Sequence, residues 1–310
     1  MRFLITGGCG FVGANLIKYL NNIGHTDIII VDNLSRGSKV NIKDFEINNF
    51  FNVDILNLEG SQKIFADVDV VIHLAAYGSV VESVNDPLSN FDINAKGTFN
   101  LLNYVRKLDI KKIIFASTGG ALIGNANPPV NETSLPKPIS PYGASKLSCE
   151  AYCSAFANSY NMDITALRFA NVVGPFGLHK KGVVNTFINN ILEKKPIYIF
   201  GDGSSTRDYL HVDDLCDGIF KSSQKSEKGF DVYHLASGRE TKIIDMAKLI
   251  TKELKADGHP IIFKQPRSGE VEKNFANYDL AKKTFAFSPQ KTLSEAIKDT
   301  YSFLLSKNER

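Results

Sequence analysis

The sequence has no apolar run that approaches the roughly 20 residues needed to cross a bilayer. The apolar residues that follow Met1 form too short a run for a secretory signal peptide, and no cleavage-site pattern comes after them. A first β-strand is the simpler interpretation of this segment. We therefore expect a cytoplasmic protein that does not bind membranes.

The sequence also lacks a marked excess of either charge. Its 36 basic and 33 acidic residues leave a net charge of +3, which is too small to indicate a nucleic-acid partner or an anionic lipid surface. No low-complexity segment or interdomain linker interrupts the chain. With 43% hydrophobic and 22% charged residues, the 310-residue composition is that of a globular protein with one large core or two packed domains.

Cysteine is scarce, and its placement argues against a metal site. The four cysteines are Cys9, Cys149, Cys153 and Cys216, and none forms a Cys-x-x-Cys pair. Cys149 and Cys153 stand four residues apart on a predicted helix, but no nearby histidine or third cysteine supports a ligand set. We expect these thiols to be small buried packing residues, with no bound metal.

Short apolar strands alternate with longer amphipathic helices through the first half of the chain. Strands this apolar are typical of a parallel sheet covered on both faces, so the alternation predicts a doubly wound α/β (Rossmann) domain over residues 1–171. Residues 172–310 are predicted to form a smaller α/β domain, with segments near 210–220 and 232–236 returning to the first. The predicted strands are 2–6, 27–31, 50–53, 68–75, 112–117, 164–169 and 197–200, and the predicted helices are 13–21, 90–107, 142–160 and 183–193.

A glycine-rich turn joins the first predicted strand to the first predicted helix. Residues 6–13 read TGGCGFVG, so Gly8, Gly10 and Gly13 match the G-x-G-x-x-G pattern in its required strand–helix context. Gly7, Gly10 and Gly13 also match the related G-x-x-G-x-x-G spacing. Glycines let backbone N–H groups approach a pyrophosphate, and the helix N-terminus adds partial positive charge. Taken alone, the turn could equally be a tight bend that binds nothing.

The end of the second predicted strand favours the dinucleotide interpretation. Asp32 lies 19 residues after Gly13, where an acid accepts hydrogen bonds from the adenosine ribose and repels a 2′-phosphate, so NAD is favoured over NADP. Arg36 keeps the alternative open, because an arginine nearby can accommodate a 2′-phosphate, although a solvated loop charge explains it as well. After the third strand, Asp54 is placed to accept from the adenine amino group and Ile55 to pack on its ring. Taken alone, these would be an ordinary strand-end acid and a core residue.

A tyrosine and a lysine four residues apart open the predicted helix 142–160. Tyr142 and Lys146 therefore share one helix face, where an ammonium lowers the pKa of a phenol from its reference value of about 10. The pair can then act as a general base toward an alcohol hydroxyl. Tyr-x-x-x-Lys is common by chance. Here it follows the dinucleotide motif and a strand that ends in Ser117 and Thr118, and a hydroxyl there can stabilise charge on the reacting oxygen.

These motifs, in this order, resemble the extended short-chain dehydrogenase/reductases, and within them the NAD-dependent nucleotide-sugar epimerase/dehydratase family. They span nearly the whole chain, and the UDP-glucose 4-epimerase-like enzymes are the most similar group. The matching segments are TGGCGFVG (6–13), VDN (31–33), HLAA (73–76), FASTGG (115–120), SPYGASK (140–146), LRFANVVGP (167–175), FGDGSSTRDYLHVDD (200–214) and PRSGE (266–270).

The resemblance implies roles for further residues. It makes residues 1–171 the NAD-binding domain and residues 172–310 the nucleotide-sugar-binding domain. Asn94 would brace the active site, and Arg207 and Arg267 would clamp the two phosphates of the sugar nucleotide, a role that guanidinium groups suit. The implied cofactor contacts also include Phe11, Val12, Asn33, Leu74, Ala75, Ala76, Asn94, Ser117, Tyr142, Lys146 and Phe169, and the implied substrate contacts also include Ser79, Thr118, Tyr142, Asn171 and Val183.

Departures from related groups narrow the predicted reaction. The 4,6-dehydratases carry Asp-Glu directly after the active-site threonine, and the related decarboxylases need an acid close by, whereas Thr118 is followed by Gly119 and Gly120. Residues 121–124 lack a tyrosine that many epimerases have there. Where a bulky tyrosine restricts the sugar pocket in some relatives, this chain has Asn274, which favours tolerance of N-acetylhexosamines.

The sequence therefore predicts NAD-dependent epimerisation at C4 of a UDP-hexose through a 4-keto intermediate. The resemblance also implies a homodimer, with helices 90–107 and 142–160 forming a four-helix interface. Polysaccharide synthesis is expected by analogy alone. Two alternatives stay open: an NAD(P)H-dependent 4-keto-sugar reductase, in which Tyr142 donates a proton, and a non-catalytic NAD-sensing protein of the same fold, which the Tyr142/Lys146 pair disfavours.

Overall fold

The structure, a computed structural model, describes residues 1–110, 112–177, 180–225, 228–267 and 271–308. Strands and helices alternate through the first half, as the sequence predicts. The strands are β1 Phe3–Thr6, β2 Ile28–Val31, β3 Asn49–Phe51, β4 Val70–His73, β5 Lys112–Thr118, β6 Asp163–Phe169, β7 Asn171–Val173, β8 Ile197–Phe200, β9 Thr206–Arg207, β10 Tyr209–His211, β11 Gly229–Leu235, β12 Thr241–Lys242 and β13 Ile261–Lys264. The helices are α1 Phe11–Asn22, α2 Val80–Asn85, α3 Pro87–Phe91, α4 Gly97–Val105, α5 Gly120–Ile123, α6 Pro141–Tyr160, α7 Val183–Leu192, α8 Val212–Gln224, α9 Ile243–Glu253, α10 Asp279–Phe285 and α11 Leu293–Asn308.

Seven strands form one parallel sheet in the order β11-β6-β5-β4-β1-β2-β3, which confirms the predicted doubly wound α/β fold. β1, β2 and β4 are buried along their whole length, as expected of Val- and Ile-rich strands covered on both faces. The strand order reverses at β1. Thr6 at its end is level with Val31 of β2 and His73 of β4, so the loops that follow these three strands leave the same edge of the sheet. In open α/β sheets this edge, at the reversal, is where ligands bind.

Helix α6 begins and ends where its sequence dictates. Ser140 is the N-cap and accepts a hydrogen bond from the Gly143 N–H at 3.2 Å, and Pro141 occupies the first turn, where its missing N–H costs nothing. Asn161 ends the helix in the left-handed conformation, with φ of 54°. The four cysteines are buried, as predicted for packing residues, and Cys149 and Cys153 pack into the core beneath the sheet's face. Each end of α6 is therefore fixed locally, and its inner face is fixed by packing.

The predicted helix 90–107 differs from the structure. It begins earlier, at Pro87, because Asp86 caps α3 by accepting the Ser89 N–H at 3.0 Å. It is then interrupted by a π-helical turn, Asp92–Lys96, before α4 continues to Val105. Such π turns contain one extra residue per turn and are frequent at functional sites.

A second apolar core lies among the later elements. β13 pairs in parallel with β8, and helices α7, α9 and α11 pack around them. No helix in the described parts of the chain is both long and apolar enough to span a membrane. The buried residues of this core are Val173, Val184, Phe187, Ile188, Ile197, Ile199, Tyr209, Ile243, Met246, Ala247, Ile250, Ala296, Ile297 and Leu304.

Candidate active site

The loop between β1 and α1 is shaped to admit a phosphate group. Gly7 has a φ of +71°, and a Cβ added to Gly13 would lie 2.4 Å from the Gly7 carbonyl oxygen, so neither position accommodates a side chain. No side chain caps α1 at its N-cap residue, Gly10. The first-turn N–H groups of Phe11 and Val12 are therefore left for an anion at the positive end of the helix. These features fit the pyrophosphate of a dinucleotide.

Asp32 lies beside this loop at the end of β2 and is 7% exposed. Its two carboxylate oxygens accept hydrogen bonds from the backbone N–H groups of Cys9 at 2.9 Å and Leu34 at 2.8 Å. Burial raises the pKa of the carboxyl, although both hydrogen bonds oppose the shift. Each oxygen keeps a second lone pair, so the carboxylate can still accept the ribose hydroxyls of an adenosine.

Arg36, the residue that keeps NADP open in the sequence, is engaged elsewhere. Its guanidinium donates to Glu82 at 2.8 Å and stacks 3.8 Å from the ring centroid of Tyr77. Glu82 also accepts a hydrogen bond from Lys181 at 2.9 Å. The Glu82 carboxylate, in the segment after β4, thus joins Arg36 in the loop after β2 to Lys181 in the residues that precede α7. An arginine already paired with a carboxylate is a poor receptor for a 2′-phosphate, so the arrangement favours NAD.

The residues predicted for the adenine pocket lie together beyond β3. Asn33 donates to one carboxylate oxygen of Asp54 at 2.8 Å, and the other oxygen accepts the Leu56 N–H at 2.8 Å. Ile55 is buried against Gly97, where an added Cβ would lie 2.7 Å from the Ile55 side chain. The contact of Asp54 and Ile55 with adenine stays a prediction.

The HLAA segment at the end of β4 lies against the glycine-rich loop. His73 is buried and shares hydrogen bonds with the hydroxyls of Thr6 at 2.7 Å and Thr98 at 3.0 Å. Burial lowers the pKa of His73 to about 3, so its ring is neutral at physiological pH. The backbone nitrogen of Ala75 lies 2.7 Å from where Gly7 would carry a Cβ. Three residues stay partly exposed along this edge, as a cofactor contact requires: Leu74, Ala75 and Ala76.

Tyr142, Lys146 and Thr118 come together between α6 and the end of β5. The hydroxyl of Tyr142 is hydrogen-bonded to Thr118. The ammonium of Lys146, a residue that is 3% exposed, donates to the carbonyl oxygen of Ala116 at 2.7 Å. The structure therefore brings the three predicted catalytic side chains together at the end of β5, where α6 begins.

The pKa of Tyr142 differs from the sequence-based expectation. Burial raises it to about 12, and the hydrogen bond with Thr118 opposes only part of the rise. Burial also lowers the pKa of Lys146, whose ammonium is held by the Ala116 carbonyl group. In the protein without ligands, desolvation therefore dominates the pKa of Tyr142, and the lowering of that pKa by Lys146 stays a prediction.

Asn94 lies in the π turn and braces this arrangement. Its side-chain amide donates to the Ser145 hydroxyl at 3.0 Å and to the Tyr77 carbonyl oxygen at 3.2 Å, and its carbonyl oxygen accepts the Tyr77 N–H at 2.7 Å. The Ser145 hydroxyl in turn donates to the Tyr142 carbonyl oxygen at 2.9 Å. Asn94 thus ties the first turns of α6, which carry Tyr142, to the segment that follows β4.

Sequence reasoning missed a buried ion pair beneath the catalytic strand end. Glu150 accepts hydrogen bonds from Arg168 at 3.0 and 2.8 Å and from the Ser117 hydroxyl at 2.5 Å. A carboxylate this deeply buried needs such partners. A signal was available, because Glu150 continues the four-residue spacing of Tyr142 and Lys146 along α6. Because the Ser117 hydroxyl donates its hydrogen bond to Glu150, the expected contact of Ser117 with the cofactor stays a prediction.

Sequence reasoning also missed Asp208, which joins the segments that carry two predicted substrate residues, Asn171 and Arg207. Asn171 donates its backbone and side-chain N–H groups to the Asp208 carbonyl oxygen at 2.9 and 3.2 Å. Arg207 directly precedes Asp208, so Asn171 and Arg207 are held at one place. The buried Asp208 carboxylate accepts four hydrogen bonds of 2.7–3.3 Å from Ser237 (N–H and hydroxyl), Gly238 and Ala276.

Asn274 lies over Gly120, two residues beyond Thr118. A Cβ added to Gly120 would lie 1.7 Å from the amide nitrogen of Asn274, so a larger residue at position 120 would have to turn the end of this side chain aside. Beside it, a Cβ at Gly119 would lie 3.2 Å from the buried imidazole of His234, whose pKa burial lowers to about 3. Gly120 therefore packs closely against Asn274 and Gly119 against His234, and neither position supplies a carboxylate.

The remaining predicted substrate contacts are placed around these groups. Arg267 stacks 3.5 Å from the ring centroid of Phe200, a residue that the sequence analysis did not single out, and Arg207 donates to the Thr206 carbonyl oxygen at 2.8 Å. Their joint hold on one diphosphate stays a prediction, and residues 268–270 of the last motif lie outside the described residues. The contacts of three further residues with ligands also stay predictions: Ser79, which caps α2, Phe169, which ends β6, and Val183, which begins α7.

Comparison with known proteins agrees with this site. The sequence profile of the NAD dependent epimerase/dehydratase family matches residues 3–236. A UDP-glucose 4-epimerase of Mycolicibacterium smegmatis is 33% identical, with 100% of both chains covered. The crystal structure of UDP-glucose 4-epimerase with UDP-glucose from Thermotoga maritima superposes with a TM-score of 0.92 at 36% identity, covering 100% of both chains. A UDP-N-acetylglucosamine 4-epimerase from Methanobrevibacter ruminantium superposes with a TM-score of 0.91 at 30% identity, covering 99% of this chain and 98% of the other.

The profile covers the glycine-rich loop, Asp32 and the Tyr142/Lys146 pair, and the similar proteins span the full length. The chain therefore belongs to the NAD dependent epimerase/dehydratase family, and it is an enzyme whose cofactor is NAD.

Proposed function

We propose that the protein interconverts the two C4 epimers of a UDP-hexose. The observation that carries the proposal is the hydrogen bond between Tyr142 and Thr118, at a strand end where the next two residues are glycines. This arrangement supplies one proton-transferring group and one hydroxyl to hold the reacting oxygen. Neither Gly119 nor Gly120 supplies a carboxylate, which elimination of water would need. Two of the similar structures are complexes with UDP-sugars, which supports uridine as the nucleotide.

In the proposed reaction, Tyr142 takes the proton of the sugar 4-hydroxyl while Thr118 hydrogen-bonds O4. NAD, when bound, supplies the hydride acceptor and donor for C4. Because burial holds the pKa of Tyr142 at about 12 in the protein alone, the positive charges around the phenol must lower it in the complex. Asn94 keeps α6 and therefore Tyr142 in register, through Ser145.

The second half of the reaction requires the 4-keto sugar to turn over while its nucleotide stays bound. Arg207 lies in β9, directly before Asp208. Arg267 lies in the segment after β13 and stacks on Phe200. Two guanidinium groups on separate supports would anchor the diphosphate and leave the hexose free to rotate. The small amide of Asn274, close to Thr118, favours space for an N-acetyl group at C2.

One observation favours a second candidate, a 4-keto-sugar reductase. A phenol with a pKa of about 12 is fully protonated at neutral pH and suits a proton donor. A reductase would consume added NAD(P)H in proportion to product, whereas an epimerase shows no net change in the cofactor.

The experiment is to incubate the purified protein with UDP-glucose or UDP-N-acetylglucosamine, without added cofactor, and to follow the C4 epimers by NMR. We expect interconversion of at least one pair, and a decrease in kcat of roughly 10²–10⁴-fold in Tyr142→Phe, the range for loss of a general base. No interconversion of either sugar, together with oxidation of NAD(P)H by a 4-keto-sugar nucleotide, would establish the reductase instead.

We also infer that the protein forms a homodimer through α2, α3, α4 and α6. These elements carry large apolar side chains that a monomer would leave in water, including Leu88 at 70% exposure and Phe91 at 56%. Phe99 of α4 packs against Tyr152 of α6 with ring centroids 5.2 Å apart, and both remain partly exposed. The other exposed apolar residues of these helices are Val81, Val84 and Tyr160.

A further inference from the structure

Lys180 places a positive charge beside the glycine-rich loop, in a position that the motifs do not indicate. It stands in the turn between β7 and α7, 167 residues after Gly13. Its ammonium nitrogen lies 4.2 Å from the ring centroid of Phe11, the first residue of α1. The same ammonium donates a hydrogen bond to the carbonyl oxygen of Val172 in β7.

The turn that carries Lys180 is fixed on several sides, so this placement is a property of the fold. Asn15 of α1 donates to the Pro175 carbonyl oxygen at 2.8 Å, and Asn185 of α7 donates to the Gly177 carbonyl oxygen at 2.8 Å. The Lys180 N–H closes the turn by donating to the same Gly177 oxygen at 2.9 Å. Two asparagine side chains therefore hold the turn against α1 and α7.

The ammonium of Lys180 lacks a counter-ion among the residues that the structure describes. No acidic side chain of residues 1–110, 112–177, 180–225, 228–267 or 271–308 lies within ion-pair distance of it. The neighbouring Lys181, by contrast, is paired with Glu82 at 2.9 Å. Desolvation lowers the pKa of Lys180 to about 7, as expected when a cation is buried against a ring and one carbonyl group.

An ammonium group has three protons to donate. One is given to Val172 and one faces the Phe11 ring, so the third is free for an acceptor. The Phe11 ring that Lys180 contacts belongs to the first turn of α1, whose Phe11 and Val12 N–H groups fit a pyrophosphate. An anion at the start of α1 would therefore supply the charge that Lys180 lacks.

We propose that Lys180 is a cofactor-binding residue that donates a charge-assisted hydrogen bond to the pyrophosphate of NAD. Its role is distinct from that of the glycine-rich loop, because the charge comes from the chain segment between β7 and α7. The turn also lies between Asn171 and Val183, two predicted substrate contacts. The same phosphate chemistry could therefore serve the diphosphate of the sugar nucleotide, and the experiment separates the two ligands.

The test measures binding of NAD and of UDP, separately, to protein stripped of cofactor, by isothermal titration calorimetry. The variant is Lys180→Met, which keeps the length of the side chain over Phe11 and removes its charge. We expect NAD to bind roughly 10-fold more weakly, as for loss of one charge-assisted hydrogen bond, and UDP to bind as tightly as before. Lys180→Arg should recover most of the NAD affinity, and Lys195→Met, which removes an exposed lysine beyond the end of α7, is the control.

An NAD affinity within two-fold of the wild type in Lys180→Met would overturn the proposal. So would a loss of UDP affinity with NAD affinity unchanged, because the diphosphate partner would then be the substrate. If Lys180→Met does not fold, Lys180→Gln replaces it, and the NAD-induced increase in Tm is compared with that of the wild type. No sugar is turned over in these measurements, so their outcome does not depend on the proposed epimerase reaction.

Discussion

The side-chain amide of Asn274 occupies the space in which Gly120 would carry a Cβ, with 1.7 Å between the two positions. The residues are 154 positions apart in the chain, and their contact places the segment between β13 and α10 next to the end of the catalytic strand. Gly120→Ala should therefore turn the end of the Asn274 side chain aside. We expect it to lower the free energy of unfolding by about 1 kcal/mol, the low end of the usual cost of overpacking, because the displaced atoms end a flexible side chain.

The matched control for this substitution is Gly78→Ala, because nothing lies within 4 Å of a Cβ at Gly78. Its free energy of unfolding should stay within about 0.5 kcal/mol of the wild type. The double variant Gly120→Ala/Asn274→Gly should regain most of the stability that Gly120→Ala loses, as measured by urea denaturation. Equal losses in the single and double variants would show that Asn274 is not the obstacle.

Thr118→Val tests whether Thr118 lowers the pKa of the Tyr142 phenol. The hydrogen bond with Thr118 lowers the Tyr142 pKa against the effect of burial, so removing the hydroxyl should raise that pKa. If the phenolate is the base, the ascending limb of kcat/KM against pH then moves to higher pH, and activity at neutral pH falls. The measurement is the pH profile of epimerisation for both proteins. A uniform decrease with an unmoved limb would mean that Thr118 positions O4 without affecting the Tyr142 pKa.

His234 should make stability depend on pH on the acid side. Burial lowers its pKa to about 3, whereas the unfolded chain binds the proton at its ordinary value of about 6.5. The contribution of His234 to the free energy of unfolding is therefore fully present above pH 6.5. It is lost as pH falls from 6.5 toward 3, by up to about 1.4 kcal/mol per pH unit. His234→Phe removes this contribution, so its free energy of unfolding should fall less steeply than that of the wild type between pH 6.5 and 4.5. His73 contributes in the same direction in both proteins, and equal slopes would rule out the assigned role of His234.

The exposed apolar residues of α3 should determine the oligomeric state. We expect Leu88→Glu and Phe91→Glu to convert the proposed dimer to a monomer, because each would bury an unpaired carboxylate in an apolar interface. The mass is measured by light scattering after gel filtration. Ile262→Glu is the control, since Ile262 is 40% exposed on β13, outside these helices. A wild-type protein of monomer mass would refute the dimer directly.

Features that depend on neighbouring residues could be predicted from the sequence. The strand, turn and helix around Gly7, Gly10 and Gly13 follow from local patterns, as does the start of α6 at Ser140 and Pro141. Because these patterns fix which elements alternate, they also predicted the parallel sheet.

Features that depend on residues far apart in the chain could not be predicted in this way. The π turn that carries Asn94 is supported by a hydrogen bond to Ser145, 51 residues away. The pKa of Tyr142 is set by how completely the folded chain excludes water from its hydroxyl, which no spacing records. The pairing of Glu150 with Arg168 required knowing that α6 lies across β6. The identity of the site residues was thus more predictable than their pKa values and their buried partners.

The double pairing of Glu82 has a consequence for cofactor exchange. Arg36 follows β2 and Glu82 follows β4, the two strands that flank β1, so their ion pair bridges the end of β1, where the dinucleotide is expected to lie. Lys181 binds the same carboxylate. Release of NAD would then require both ion pairs to open, and both are accessible to dissolved ions, since the Lys181 side chain is 77% exposed. Ions screen such pairs over about 8 Å at physiological ionic strength. The dwell time of NAD on the enzyme should therefore shorten as ionic strength rises, so that dilute buffer keeps a resident cofactor and concentrated salt makes it exchangeable.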